Sequence, residues 1–189
     1  MLEVGEAEAD RDIIDRIGCD LPGALTLLRR RYGTPVYRFC REALRDRALA
    51  DDTHQQIFIQ AHRDLPRFAA RASLRTWLFA IVRHRVLDAA KMRRRAEAHL
   101  EHGDAADPAD LTPTPDDQLD TARLQRDLSA CLDELDVELK LTVLARYQQG
   151  LTFEQMAELF DRKPGTLQAK IARILPRLRD CLERRGHRR

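Results

Sequence analysis

The sequence has few cysteines, the residues that cross-link small secreted domains and bind structural zinc. It has only four cysteines in 189 residues, and no two of them form a CxxC pair. Close cysteine spacing is typical of zinc knuckles and of disulfide frameworks, so the sequence argues against both. We expect reduced cysteines, most of them in the core, at Cys19, Cys40, Cys131 and Cys181.

Long apolar runs are also missing, and no stretch approaches the length of a membrane-spanning helix. The first twenty residues are rich in Asp and Glu, which is unlike the positively charged start of a signal or transit peptide. These two features predict a soluble, cytoplasmic protein without a membrane span.

Positive charge is absent from one segment. The whole chain has 33 Lys and Arg against 31 Asp and Glu, yet residues 96–122 contain no Lys or Arg at all. That segment accumulates Asp and Glu, contains three prolines and has no hydrophobic periodicity. Such a composition is typical of linkers, although an acidic stretch can also mimic nucleic acid or serve a partner of its own.

The rest of the chain has apolar side chains at helical spacing. We therefore predict an all-α fold of two small helical domains, at 8–97 and 119–186, joined by a flexible acidic linker over 98–118. Either the whole chain or each half is long enough to bury a core.

In the first domain, a helix or helix pair is predicted over 10–31, with residues 22–23 as a break or a second helix start. The Gly-Thr-Pro sequence at 33–35 is predicted to end one helix and to start the next. A third helix is predicted over about 49–65, where Pro66 stops it.

The stretch from Leu74 to Arg95 changes character along its length. Its first half has apolar side chains on nearly every side, which predicts burial against several neighbours, with Ser73 as the N-cap. Its second half is cationic, and so many guanidinium groups on one surface favour a polyanionic ligand. The alternative is a solvated helix end whose cations favour the dipole.

In the second domain, two predicted helices have the layout of a helix-turn-helix. Thr152 and Gln155 fit a capping box for a short helix that ends near Phe160. Pro164 suits the first turn of a longer helix, whose polar and cationic residues would meet the major groove of DNA. A helical hairpin without a ligand has the same pattern, so these residues alone leave both readings open.

Several motifs resemble those of the bacterial sigma-70 family, specifically extracytoplasmic-function (ECF) sigma factors. The sequence at 52–58, DTHQQIF, resembles the family's D-L-V-Q-E-x-F, and Phe68 followed by SLRTWLFAIVR at 73–83 resembles F…S-x-R-T-W-L-x-x-I-A-R. In the second domain, residues 146–157 resemble R-Y-x-x-G-L-S-x-x-E-I-A, and residues 165–167 resemble G-T-V. Departures include His84 in place of Asn, and Thr53 and Gln56 in place of an apolar residue and Glu.

This resemblance implies a transcription factor that is not an enzyme and needs neither a cofactor nor a metal. It would bind the β′ clamp helices and the β flap of core RNA polymerase, together with promoter DNA. The implied polymerase-binding residues are Asp51, Asp52, Gln55, Gln56 and Phe58. The implied contacts to the −10 element are Phe68, Arg71, Arg75, Trp77, Arg83, His84, Asp88, Lys91 and Arg94. Those to the −35 element are Arg162, Thr166, Gln168, Lys170, Arg173 and Arg177.

Trp77 could stack on a base, but its place in the apolar half of the helix favours a core role, and Phe68 and Arg71 are better placed to meet a flipped base. An anti-sigma factor, or a Ser/Thr kinase acting on Thr53, would be a further partner. Phosphorylation there would add about −1.5 to −2 charge beside Asp52.

Two other classes of function compete with this interpretation. A free-standing helix-turn-helix regulator would explain the second domain alone. A metalloenzyme would use His84 and Asp88, which are four residues apart, with His54 and His62, but these pairs provide no third fixed ligand.

Overall fold

A computed structural model describes residues 10–99 and 117–187, and these fold as helices joined by short turns. They divide into two compact units, with the boundary after Arg93. Most of the predicted linker at 98–118 lies outside the described residues, but both of its ends are helical. Within the described ranges, no helix is long and apolar enough to cross a membrane.

The first unit consists of four helices and one short turn, and the last residues of the fourth helix extend past its boundary. Helix α1 covers 10–16. It is followed by α2 (Leu21–Leu44), α3 (Arg47–Asp64), a 3₁₀ turn (Leu65–Arg67) and α4 (Leu74–His99).

Asp10 ties α1 to α2, because its carboxylate accepts a hydrogen bond from the Tyr32 hydroxyl at 2.7 Å and pairs with Arg31 at 2.8 Å. In the core, Phe39 of α2 meets Phe79 of α4 edge to face, with ring centroids 5.5 Å apart.

The helix boundary predicted at 33–35 is wrong, because α2 runs without interruption from Leu21 to Leu44 with Pro35 inside it. The second helix start predicted at residues 22–23 is correct to within two residues, since α2 begins at Leu21 and Asp20 caps it by accepting a hydrogen bond from the Gly23 amide at 3.0 Å. An internal proline removes one backbone hydrogen bond and clashes with the preceding turn. Burial of Val36 and Phe39, which continue the apolar stripe past Pro35, offsets that cost.

The second unit also packs as helices. It comprises α5 (Asp117–Asp133), α6 (Val137–Val143), a π-helical turn (Leu144–Gln148), α7 (Phe153–Phe160) and α8 (Pro164–Arg184). Helix α8 packs against α5, α6 and α7, and its Leu167, Ile171 and Ile174 are buried. It therefore forms the centre of this unit.

The prediction of four reduced cysteines is wrong for two of them, since Cys131 and Cys181 form a disulfide. Both side chains are buried where the last turn of α5 meets the last turn of α8. Fifty residues separate them, so no short spacing signals the pair, and only the packing of the two helices brings them together.

The two free cysteines differ in accessibility, and this predicts their reactivity. Cys19 is exposed, whereas Cys40 is buried, and burial raises the pKa of the Cys40 thiol to about 12. Because the thiolate is the reactive form, a thiol reagent at neutral pH should label the native protein at Cys19 only. After denaturation the same reagent should also label Cys40, and mass spectrometry would identify the labelled residues. Rapid labelling of Cys40 in the native protein would contradict this packing.

Candidate nucleic-acid interface

The loop that precedes α4 and the first turn of that helix together present an aromatic pair beside cationic side chains. The rings of Phe68 and Trp77 lie 5.4 Å apart, and both are half-buried. Ala70 has a positive φ of 51°, an uncommon conformation for a residue with a side chain. The loop then enters α4 at Ser73, whose hydroxyl oxygen accepts a hydrogen bond from the Thr76 amide at 3.0 Å. The predicted N-cap is therefore confirmed.

Helix α4 uses some of its cations to hold the unit together. Arg85 donates to the Gln60 side chain of α3 at 2.6 Å, and Arg93 donates to the Leu44 carbonyl at the end of α2, also at 2.6 Å. Arg93 thus also satisfies a carbonyl at a helix C-terminus, where acceptors lack intrahelical partners. These two cations belong to the packing, although the sequence did not distinguish them from their neighbours.

The remaining cations of the second half of α4 are exposed. Lys91, Arg94 and Arg95 all face solvent on its last turns. His84 is exposed on the same helix and its Nδ1 lies 3.2 Å from the Asp88 carboxylate. Within the described residues, no three His, Cys, Asp or Glu side chains are grouped as a metal site would require, so His84 and Asp88 form an isolated pair.

The outer face of α3 combines acidic, amide and aromatic side chains. Asp52, Gln55 and Gln56 are exposed. His54 lies between Tyr37 and Phe58, with ring centroids 5.5 and 5.0 Å away, and its Nε2 is 3.1 Å from the Gly33 carbonyl. Partial burial lowers the pKa of His54, which favours the neutral ring.

Asp51, on the same face of α3, forms a hydrogen bond with the Tyr37 side chain. A hydrogen bond from Tyr37 to Asp51 raises the pKa of the tyrosine. Ile59, which is not among the predicted polymerase-binding residues, is 43% exposed next to this face.

In the second unit, α7 and α8 form a helix-turn-helix. The predicted capping box is present, since the Thr152 hydroxyl and the Gln155 side chain each accept a hydrogen bond from the other residue's amide. The turn passes through Asp161 in the left-handed conformation, φ 51°, and leaves Arg162 exposed. Helix α8 then starts at Pro164, as predicted.

A groove of about 710 Å³ lies between α8 and the start of α6. Glu138 and Leu139 of α6 form one side of it. Its cationic lining consists of Arg162, Lys170, Arg173 and Arg177. Since Glu138 is the one carboxylate in this lining, the groove is strongly positive and suits a polyanion.

Comparison with known proteins decides which family this architecture represents. The family model of sigma-70 region 2 matches residues 28–96, which run from α2 through the basic part of α4. The chain is 32% identical over 158 residues to the ECF RNA polymerase sigma factor SigM of Mycobacterium tuberculosis, a match that covers 82% of this chain and 75% of that relative. The chain belongs to the ECF sigma factor family.

A further relative and a solved structure are also similar to this chain. RNA polymerase sigma factor CarQ of Myxococcus xanthus is 27% identical over 152 residues, covering 80% of this chain and 85% of CarQ. The fold matches that of the sigma factor RpoE of Bartonella quintana, solved with the anti-sigma factor NepR. That likeness has a TM-score of 0.69 at 18% identity and covers 82% of this chain and 96% of RpoE.

The structure places the sequence-predicted residues of this sigma factor on three surfaces. Those assigned to the −10 element lie on the loop 68–73 and along α4, where Arg75 and Arg83 are half-buried and Arg71 is exposed. Those assigned to polymerase lie on α3. Those assigned to the −35 element lie on α8 and the turn before it, and five of the six line the groove. Gln168 is exposed but does not line it.

The location of Thr53 argues against its phosphorylation. Its side chain is only 5% exposed, on the inner side of α3, so a kinase could reach the hydroxyl only if the helix opened. A phosphate at that position would also lie among buried apolar residues, where desolvation opposes charge. The neighbouring Asp52 and Gln56 do face solvent.

Proposed function

We propose that this sigma factor directs transcription initiation by holding core RNA polymerase on promoter DNA through the three surfaces. The exposed face of α3 docks on the β′ clamp helices, the loop 68–73 with α4 engages the −10 element, and α8 engages the −35 duplex. The second unit would also contact the β flap. The observation that carries this proposal is that one chain combines an aromatic loop beside cations with a cationic helix-turn-helix.

At the −10 element, Phe68 and Arg71 are the side chains best placed to receive an extruded base. Phe68 is half-buried against Trp77, which fixes its ring, and Arg71 is exposed three residues later. Aromatic rings and guanidinium planes both stack on unpaired bases. Lys91 and Arg94, one to two turns from the end of α4, would neutralise phosphates.

Run-off transcription tests the proposal against a free-standing helix-turn-helix regulator. Core RNA polymerase would be reconstituted with the purified protein and supplied with DNA from its own genome. Specific transcripts that require both components are expected. If the protein bound duplex DNA but neither bound core polymerase nor supported initiation, the free-standing regulator would be the better interpretation.

The proposed function also implies a cellular location and a regulatory partner. A factor that works on core polymerase acts in the cytoplasm. An anti-sigma partner is proposed because RpoE of Bartonella quintana was solved with NepR. Co-purification from cells that express the tagged chain at its natural level would test for such a partner.

The docking face offers a gain-of-function prediction. Gln56 is exposed where the family pattern has Glu, so Gln56→Glu should restore a negative charge facing the polymerase. We expect up to about fivefold tighter binding to core polymerase, as is typical of an exposed ion pair, and weaker enhancement at high salt. Binding would be measured by fluorescence anisotropy of the labelled sigma factor.

A matched control separates this effect from a general gain of negative charge. Gln125 is exposed on α5 of the other unit, so Gln125→Glu makes the same change away from the proposed face. An equal gain for both variants, or none for Gln56→Glu, would contradict the proposed docking contact.

A further inference from the structure

The exposed surface of α8 has two chemically different flanks. Its buried stripe, which includes Leu167, Ile171 and Ile174, fixes the orientation of the helix. At about 100° per residue, Ala169 and Ala172 lie opposite that stripe, and both are exposed. The side chains that could bind DNA lie to the left and right of this alanine line.

The cationic flank faces the groove. Lys170, Arg173 and Arg177 recur at intervals of three and four residues, and all three line the groove beside Glu138 and Leu139 of α6. By helical spacing they lie between the alanine line and the buried stripe, on the side of the helix that faces the groove, and Ala169 of the alanine line also borders the groove. Cations in this position meet a sugar-phosphate strand at the edge of the major groove, and phosphate contacts carry no direct sequence information.

The other flank carries an amide near the start of the helix and one cation, Arg179, three turns later. Gln168 is exposed, does not line the groove, and lies within the first two turns of α8. In a helix-turn-helix, the N-terminal residues of the second helix contact base edges. The short side chains of Ala169 and Ala172 leave room beside Gln168 for a base pair to approach.

On the basis of the proposed function, the structure assigns Gln168 the role of reading adenine in the −35 duplex, while Lys170, Arg173 and Arg177 bind phosphates. A glutamine amide accepts a hydrogen bond from adenine N6 and donates one to N7, a bidentate pattern that no other base presents in the major groove. Base discrimination therefore resides on one flank of the helix, and the three cations that border the groove provide affinity from the other.

The test uses holoenzyme and a pool of random-sequence duplex DNA, with bound sequences recovered and compared between variants. For Gln168→Ala, the preference for adenine at one −35 position should fall by about tenfold, with the other preferences retained. For Arg173→Ala, affinity should fall alike on all sequences, and the slope of log affinity against log salt should decrease by about one unit. Arg126→Ala on α5 is the charge-matched control, since Arg126 is exposed outside this surface.

A second variant distinguishes loss of the base contact from loss of DNA binding by misfolding. Gln168→Glu replaces a donor and acceptor with an acceptor alone, so the preferred base at the same position should change from adenine to cytosine, whose N4 is a donor. Unchanged preferences in both Gln168 variants, or loss of a guanine preference in Arg173→Ala, would overturn the assignment. If wild-type holoenzyme enriched no sequence at all, the proposed function itself would fail, so the two failures are distinguishable.

Discussion

Reduction of the Cys131–Cys181 disulfide should lower the free energy of unfolding of the second unit by about 4 kcal/mol. The bridge spans 50 residues between the ends of α5 and α8, and on the chain-entropy model a cross-link of that span strongly restricts the unfolded chain. For a unit of this size, such a loss corresponds to a decrease in Tm of about 15 °C or more. The first unit has no cysteine in the bridge and should be unaffected.

The two units can be followed separately because Trp77 is the only tryptophan of the chain and lies in α4. Thermal unfolding would be recorded by tryptophan fluorescence and by far-UV circular dichroism, with and without reductant. The fluorescence transition should stay in place, and part of the circular dichroism transition should move to lower temperature. Cys181→Ala without reductant should reproduce the reduced state.

Cys19→Ser is the control for this experiment, because Cys19 is exposed and forms no disulfide. It should respond to reductant as the wild type does. A circular dichroism transition that does not move, although two additional thiols have become titratable, would show that the bridge contributes little to stability.

Local sequence signals predicted helix starts well because those signals act within a few residues. Ser73 caps α4 and Thr152 caps α7, as their side-chain chemistry predicted, and Pro164 opens α8. The same local reasoning was wrong at Pro35, where a helix continues through a sequence that favours a boundary. There, long-range packing of buried side chains overrides local preference.

Features that depend on tertiary contacts could not be predicted from the sequence. Arg85 and Arg93 look like the DNA-binding cations beside them, but the structure engages them with Gln60 and with the end of α2. Likewise, helical spacing puts Gln168 and Arg173 on different flanks of α8, but only the structure shows that Arg173, and not Gln168, borders the groove beside α6. Periodicity identifies the exposed side of a helix, whereas neighbouring helices determine what each exposed residue can reach.

Phe79→Ala should destabilise the first unit by about 3–5 kcal/mol. Phe79 is 1% exposed and packs edge to face on Phe39 of α2, so its removal takes away a large buried surface and leaves a cavity that the surrounding helices can fill only in part. Alanine itself is a good helix former, so the loss would reflect packing and not helix propensity. Urea unfolding followed by Trp77 fluorescence would measure the change.

The matched control for Phe79→Ala is Met92→Ala on the same helix. Met92 is 70% exposed, so its truncation should change stability by less than about 0.5 kcal/mol. Because the second unit buries its own core around Leu141, Met156 and Ile171, the circular dichroism signal from that unit should unfold at an unchanged urea concentration in both variants. Simultaneous loss of both units in Phe79→Ala, at one urea concentration, would mean that they fold as a single cooperative body.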